Sequence, residues 1–246
     1  MIDIVYTLGD GSIWDDNELK HSLRSVEENL IDLRQVFIVG HCPDFIDKSK
    51  INYIPCEDPY DRNKDANIIN KLLRACADKR ISDRFIFNSD DQYFMRPIKS
   101  FEMKYYTDND LFDLDPLAKL NVWEMRARRT INKLSEMGLK QDCFEAHIPY
   151  VIDKDEYFNT MLNTDYGKRF GYTVNSIYMN AMQVPREPIT NTVRARIKEP
   201  IYSMKEVEEI TKDVTYMNHN NPSIRNGVLK EFIENRFPKP SRYEKT

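Results

Sequence analysis

A chain of 246 residues is long enough to bury the core of one large α/β domain. Hydrophobic residues at 41% and aromatic ones at 11% exclude a largely disordered protein despite 31% charged residues, and a net charge of −4 excludes a general attraction to nucleic acid or anionic lipid. No apolar run nears the roughly 20 residues of a membrane helix, and the start MIDIVYTLGDG lacks the basic and apolar regions of a secretory signal, so no membrane span and a cytoplasmic location are expected.

The opening IDIVYT is rich in β-branched residues and reads as a buried first strand, with LGDGS as the turn after it. Leu19, Leu23, Val26 and Leu30 follow at helical spacing, with Asp15 three residues ahead of Glu18 as a start resembling a capping box. QVFIVG and INYIP read as two further short strands, the second cut off by Pro55. KDANIINKLLRACA places Ile69, Leu72 and Cys76 on one helical face, and RFIFN returns to strand. This alternation predicts an α/β fold with a mainly parallel central sheet flanked by helices, in which ligands bind beyond the carboxyl ends of the strands. The second half is less periodic. NVWEMRARRTINKLSEMGL predicts a helix ended by Gly138, CFEAHIPYVIDKDEYFNTML an extended piece and then a helix, VLKEFIENRF a late helix, and KPSRYEKT a tail. One domain over 1–246 is expected, divided into halves 1–100 and 101–236 and a tail 237–246, the later half being mixed α+β.

The stretch FIFNSDDQYFM carries the clearest chemistry. Adjacent carboxylates repel, so Asp90 and Asp91 closing an apolar strand point to a hard divalent cation with oxygen ligands, magnesium or manganese, bridging to a nucleotide diphosphate. The plainer alternative is a helix cap or an exposed turn. Upstream, DPYDRNKDANIINK supplies Arg62, Lys64, Asn67, Asn70 and Lys71, and Arg62 and Lys64 fall where free helix amides favour phosphate. A solvent-facing helix start would look the same. Thr7, Gly9 and Asp10 close the first strand, where the lack of a side chain at Gly9 lets a ligand approach the backbone. His147 of FEAHIPYVIDK is a candidate proton acceptor or further metal ligand, ahead of Asp142 and Glu145 as a base; a packed or exposed histidine is the alternative. His21, His41 and His219 read as structural. Cys42, Cys56, Cys76 and Cys143 form no CxxC pair and are expected as reduced thiols. The basic clusters RARR (Arg126–Arg129), RARIK (Arg194–Lys198) and KPSRYEK read as solvated faces or as contacts to an anionic substrate.

Taken in order, IDIVYTLGDGS, ELKHSLRSVEENLIDLRQVFIVG, FIFNSDDQYFM, EAHIPYVIDK and FPKPSRYE resemble the motif blocks of the Stealth family of capsule sugar-phosphate transferases, and more widely nucleotide-sugar transferases of the GT-A fold. The first two blocks lie almost adjacent here, NSDD has a serine inserted relative to the family's N-D-D, and the chain is short for that family. The resemblance implies a GT-A-like, Rossmann-like domain with a nucleotide-sugar-binding half and an acceptor-side half. It implies a divalent cation held by Asp90, Asp91 and His147, a donor site including Thr7, Gly9, Asp10, Arg24, Arg62, Lys64, Asn67 and Asp90, and catalytic roles for His147, Asp91 and Arg24. Arg24 read from the residues alone merely borders the buried face of the first helix.

The expected function is metal-dependent transfer of a sugar from a nucleotide-sugar donor to a hydroxyl acceptor on a polysaccharide or other glycan. Three alternatives stay open: a Stealth-like sugar-1-phosphate transferase, a phage DNA glycosyltransferase acting on hydroxymethylated bases, and a non-catalytic carbohydrate-binding module. Net acidity argues against nucleic acid as the acceptor without removing it.

Overall fold

The computed structural model describes residues 1–115 and 119–245. A five-stranded sheet organises the fold. Four of its strands, β1 (Ile2–Leu8), β2 (Leu33–Gly40), β3 (Asn52–Ile54) and β4 (Arg84–Asn88), run parallel. Two helices connect them, α1 (Asn17–Asn29) and α2 (Lys64–Cys76). Strand β1 and the last four residues of β4 are buried with almost no alternation, Asp3 and Asn88 included, as expected of central strands covered on both faces. Val5 pairs with Phe37 on one side and Phe87 on the other, which places β1 at the centre.

Beyond β4 the chain turns at once into β5 (Gln92–Phe94), which belongs to a different sheet. Downstream follow β6 (Tyr105–Thr107), the helix α3 (Val122–Glu136) and β7 (Tyr150–Asp153). β7 returns antiparallel to β4 and completes the central order β3-β2-β1-β4-β7. The helices α4 (Lys154–Leu162) and α5 (Ser176–Ala181) come next, then β8 (Arg186–Pro188), β9 (Arg194–Ile197), α6 (Met204–Thr211), β10 (Tyr216–His219) and α7 (Val228–Arg236). β10 lies between β5, antiparallel, and β9, parallel, and β6 pairs with β8. The small sheet has its own core of Trp14, Tyr93, Ile197, Val207, Met217, Leu229, Ile233 and Phe237.

Three expectations change in detail. The first helix is not opened by Asp15: its cap, Asp16, has a left-handed φ of 56° and makes no side-chain capping bond. Ser12 instead orders the turn ahead of the helix, its hydroxyl accepting from the backbone N–H of Trp14 (3.1 Å) and Asp16 (2.8 Å) while donating to Glu18 in the first turn (2.8 Å). One hydroxyl thus uses both lone pairs and its proton. The stretch after α7 is docked rather than loose: Phe237, Ser241 and Tyr243 are buried, and Tyr243 O accepts from Asp47 N at 2.8 Å. Thr246, at the end of the segment read as a tail, lies outside the described residues. Strands β5, β6, β8, β9 and β10 and helices α5 and α6 add elements that the periodicity did not show.

Candidate active site

The turn between β4 and β5 is where the chain leaves the large sheet for the small one, and it carries Asp90 and Asp91. Beneath it lies a buried polar knot. Asn88 Nδ2 donates to Tyr6 Oη (3.1 Å) and Ser22 Oγ (3.3 Å), Tyr6 and Ser22 hydroxyls are 2.9 Å apart, and Ser22 Oγ donates to the Gln92 carbonyl at 2.6 Å. Gln92 Oε1 accepts from Ser89 N at 3.2 Å. Bonds to both ends of so short a turn fix where its carboxylates stand.

Five segments converge on those carboxylates at the carboxyl edge of the parallel strands: the end of β1, the start of α2, the β4–β5 turn, the loop before β7 and the end of β10. Between them lie two chambers of about 500 and 270 Å³. The larger is lined by Thr7, Gly9, Asp10, Arg62, Lys64, Asn67, Lys71 and His219 among others; the smaller by Trp123, Glu145, His147, Asn175 and Arg196 among others. Thr7, Lys64, Ile68, Asp90 and Asp91 line both, so the two acids stand on the partition.

The acids are made unlike each other. Burial, and then the charge of Asp91, raises the Asp90 carboxyl, with Lys64 opposing. Burial would raise Asp91 as well, but the imidazole of His147, its Nε2 3.1 Å from Asp91 Oδ1, overrides that and holds Asp91 well below the usual carboxylate range. His147 has a left-handed φ of 54°, a conformation that costs a non-glycine residue on the order of 1 kcal/mol or more. Asn218 Nδ2, from β10, donates to its carbonyl at 2.7 Å and helps hold it there. His219 beside it is buried and pushed down by that burial; its Nε2 lies 3.0 Å from Tyr93 Oη and its Nδ1 has no partner.

Thr7, Gly9, Asp10, Arg62, Lys64, Asn67, Asp90 and Asp91 are therefore brought to one chamber, and His147 to the chamber sharing the acids. Arg24 is not, and the role implied for it is corrected: its guanidinium clasps Glu244 through two bonds of 2.8 and 2.7 Å and donates to Phe237 O at 3.0 Å, fastening the docked C-terminal segment to α1. Of the other base candidates, Asp142 is engaged by Arg186 at 2.6 Å, and Glu145 accepts from Asn175 N, Asn175 Nδ2, Ser176 N and Ser176 Oγ. Asn70 borders neither chamber and bonds Cys56 and Tyr166. Lys71, 2% exposed, pairs with Asp58 in the larger chamber's wall. RARR is structural where it is deepest, Arg126 pairing with Asp65 at 3.0 Å and Asn63 at 3.1 Å. His219, read as structural, stands in the cleft; its strand, YMNH, is too short to announce itself, and the only local signal was an imidazole at a strand end.

Among the described residues no three His, Cys, Asp or Glu side chains are gathered closely enough to hold a metal ion by themselves. The donor set nevertheless suits a hard cation that takes part of its shell from a ligand's phosphates: two carboxylates of opposite tuning and the unpartnered, buried Nδ1 of His219 all border one chamber.

No protein-family model matches the chain, and no curated protein matches it, so the Stealth resemblance rests on its short motifs alone. Among solved structures the chain is similar to the galactosyltransferase LgtC in complex with donor and acceptor sugar analogs, with a TM-score of 0.52 and 10% identity over 98% of both chains. An active-site mutant of LgtC aligns at 0.49 and 9% over 98% of both, and mouse xyloside xylosyltransferase 1 in its apo form at 0.44 and 9% over 91% of this chain and 99% of that one. The chain thus shares the fold of that galactosyltransferase, a mixed α/β domain with a central sheet flanked by helices.

Proposed function

We propose that the chain is a divalent-cation-dependent glycosyltransferase, moving a sugar from a nucleotide-sugar donor to a hydroxyl acceptor. One observation carries the reading: Asp90 and Asp91 form the common wall of two chambers at the carboxyl edge of a GT-A sheet, with cations and a helix start on one side and a histidine on the other. In this reading the larger chamber takes the nucleotide. Gly11 leaves open space beside the backbone, Arg62 just ahead of α2 and Lys64 at its start would meet the diphosphate, and the helix amides would add to their attraction. Asp91, Asp90 and His219 would hold manganese or magnesium, which when bound offsets the charge developing on the leaving diphosphate.

His147 has two tasks that its position allows. As a neutral imidazole its Nε2–H, turned to Asp91, supports that carboxylate, while its other ring nitrogen would accept a proton from the acceptor hydroxyl in the smaller chamber, since Asp142 and Glu145 are engaged elsewhere. In this reading Lys64, bordering both chambers, would lie near the bond that breaks.

The test is product analysis by mass after incubation with a panel of nucleotide sugars and manganese. Release of the nucleoside diphosphate, abolished by Asp91→Asn in a chain that still melts cooperatively, is the expected result. Release of the monophosphate from a nucleoside-diphosphate sugar would make it a sugar-phosphate transferase instead, and either no turnover with any donor or turnover indifferent to Asp91 would end the reading.

A further inference from the structure

We propose that the smaller chamber receives a saccharide carrying an anionic group, a carboxylate or a phosphate, and that Arg196 selects it. This rests on the transferase reading and names the class of sugar that site takes.

Three observations meet there. Asn175 is 6% exposed and lines the chamber; its N–H and Nδ2 donate to Glu145 at 2.9 and 3.2 Å, while its Oδ1 accepts from nothing. A buried acceptor without a donor is costly and rare, and one on the wall of a polar cavity fits a ligand hydroxyl. Trp123, half-buried in the first turn of α3, adds an aromatic wall with an N–H donor, the mixture by which small polar ligands are oriented.

The third observation is charge. Arg194, Arg196 and Lys198 alternate along and just beyond β9 and so project from one face of it. Asp108 is shared between the two arginines, at 3.1 Å from Arg194 and 3.4 Å from Arg196, and among the described residues no second carboxylate pairs with either. Arg194 is further committed to the Ala146 carbonyl. Arg196, whose side chain is 24% exposed, is the member that reaches the chamber wall. The crowding leaves a trace on its neighbours: burial and then Arg194 lower Arg196, and Arg196 is the leading cause that lowers Lys198. Three cations share one carboxylate, so Arg196 brings positive charge to this wall that Asp108 does not fully pair, while the chamber's own acids are engaged: Asp65 by Arg126, Glu145 by Asn175 and Ser176, and Asp90 and Asp91 by the cation of the proposed donor site. The donor diphosphate does not account for it, because Arg62, Lys64 and the start of α2 serve the other chamber. A planar guanidinium takes a carboxylate or phosphate through paired hydrogen bonds, which a neutral sugar cannot offer.

The anionic group can belong to the donor's sugar or to the acceptor, and two arms of one binding measurement on the full chain with manganese separate them. One arm compares UDP-glucuronate with UDP-glucose by thermal shift, alongside UDP, GDP, CMP and dTDP as nucleotide probes. The other applies the fluorescently labelled chain to an array of neutral, uronic-acid-bearing and phosphorylated saccharides. The expected result is a preference of at least tenfold for the acidic member in one arm. That preference is lost in Arg196→Gln, partly kept in Arg196→Lys and weakened severalfold in Lys198→Gln, an exposed change that spares folding. Equal binding of acidic and neutral probes in both arms, binding of no acidic probe, or an undiminished preference in a folded Arg196→Gln chain overturns the proposal. Nucleotide binding with no acidic preference removes only the anionic site. An Arg196-dependent preference in a chain that binds no nucleotide removes the transferase reading and leaves the anionic site standing.

Discussion

Asp90 and Asp91 show that neighbouring carboxylates need not be equivalent, and the difference has measurable signs. Burial and the charge of Asp91 push Asp90 from its ordinary 3.8 up to about 6. Between those values the folded chain keeps a proton that the unfolded chain has released, so this group's effect on stability worsens as pH rises through the interval and remains above it. We therefore predict that Asp90→Asn melts higher than the parent at pH 7.5, by on the order of 1 kcal/mol after allowing for solvent access, and loses that advantage at pH 4. Equal melting temperatures at pH 7.5 would contradict the burial argument. The same carboxyl is ionised only above about 6, so cation-dependent nucleotide binding should strengthen as pH rises from 5 to 7.5. Asp91 runs the other way: held low by His147, it contributes stability above its ordinary range that disappears as pH falls. The acids themselves were legible in the sequence because a polar dipeptide closing an apolar run stands out locally. Their coupling to His147 was not, since it depends on a left-handed residue 56 positions away being held by Asn218.

Elements differ in how plainly they announce themselves. β1, α1, β2, α2 and β4 are each five residues or longer and carry an apolar run or helical spacing, and each was readable. β5, β9 and β10 are three or four residues long, and β10 finds its partner β5 more than 120 residues back, so nothing local marks either strand. That is why His219 escaped notice as a cleft residue, and why RARIK was left open between a solvated face and a contact to an anionic substrate. The ends of two elements give separate tests. Gly40, closing β2, has φ +109°, and a Cβ there would sit 2.2 Å from the Leu8 carbonyl and 2.5 Å from Lys71 Cε. Gly40→Ala should cost at least about 1–3 kcal/mol in denaturant unfolding, because neither strand backbone nor buried lysine can yield freely. Arg24 binds Glu244 and two carbonyls of the C-terminal segment rather than the cleft. Arg24→Ala should lower stability by about 1–3 kcal/mol while the Michaelis constant for donor stays within twofold. A loss of donor affinity at unchanged stability would restore the role the motif resemblance gave it.

In the molecule as a whole the five-stranded and three-stranded sheets are joined at the β4–β5 turn, and its chemistry gathers at the join. The large sheet was foreseeable from strand and helix alternation and from the resemblance to GT-A transferases; the smaller sheet, which closes the cleft from the other side with β9 and β10, was not. Because both sheets border the cleft, a ligand that spans it is expected to stabilise both cores together, raising one cooperative transition rather than one of two. Among the described residues no helix is long and apolar enough to cross a membrane. The decisive experiment is a calorimetric titration of the chain with nucleoside diphosphates, with and without manganese, repeated on Asp91→Asn. The account predicts binding of at least one diphosphate that is strengthened tenfold or more by manganese in the parent and indifferent to it in the variant. Binding that ignores manganese in both, or manganese dependence that survives the loss of the Asp91 charge, would contradict it.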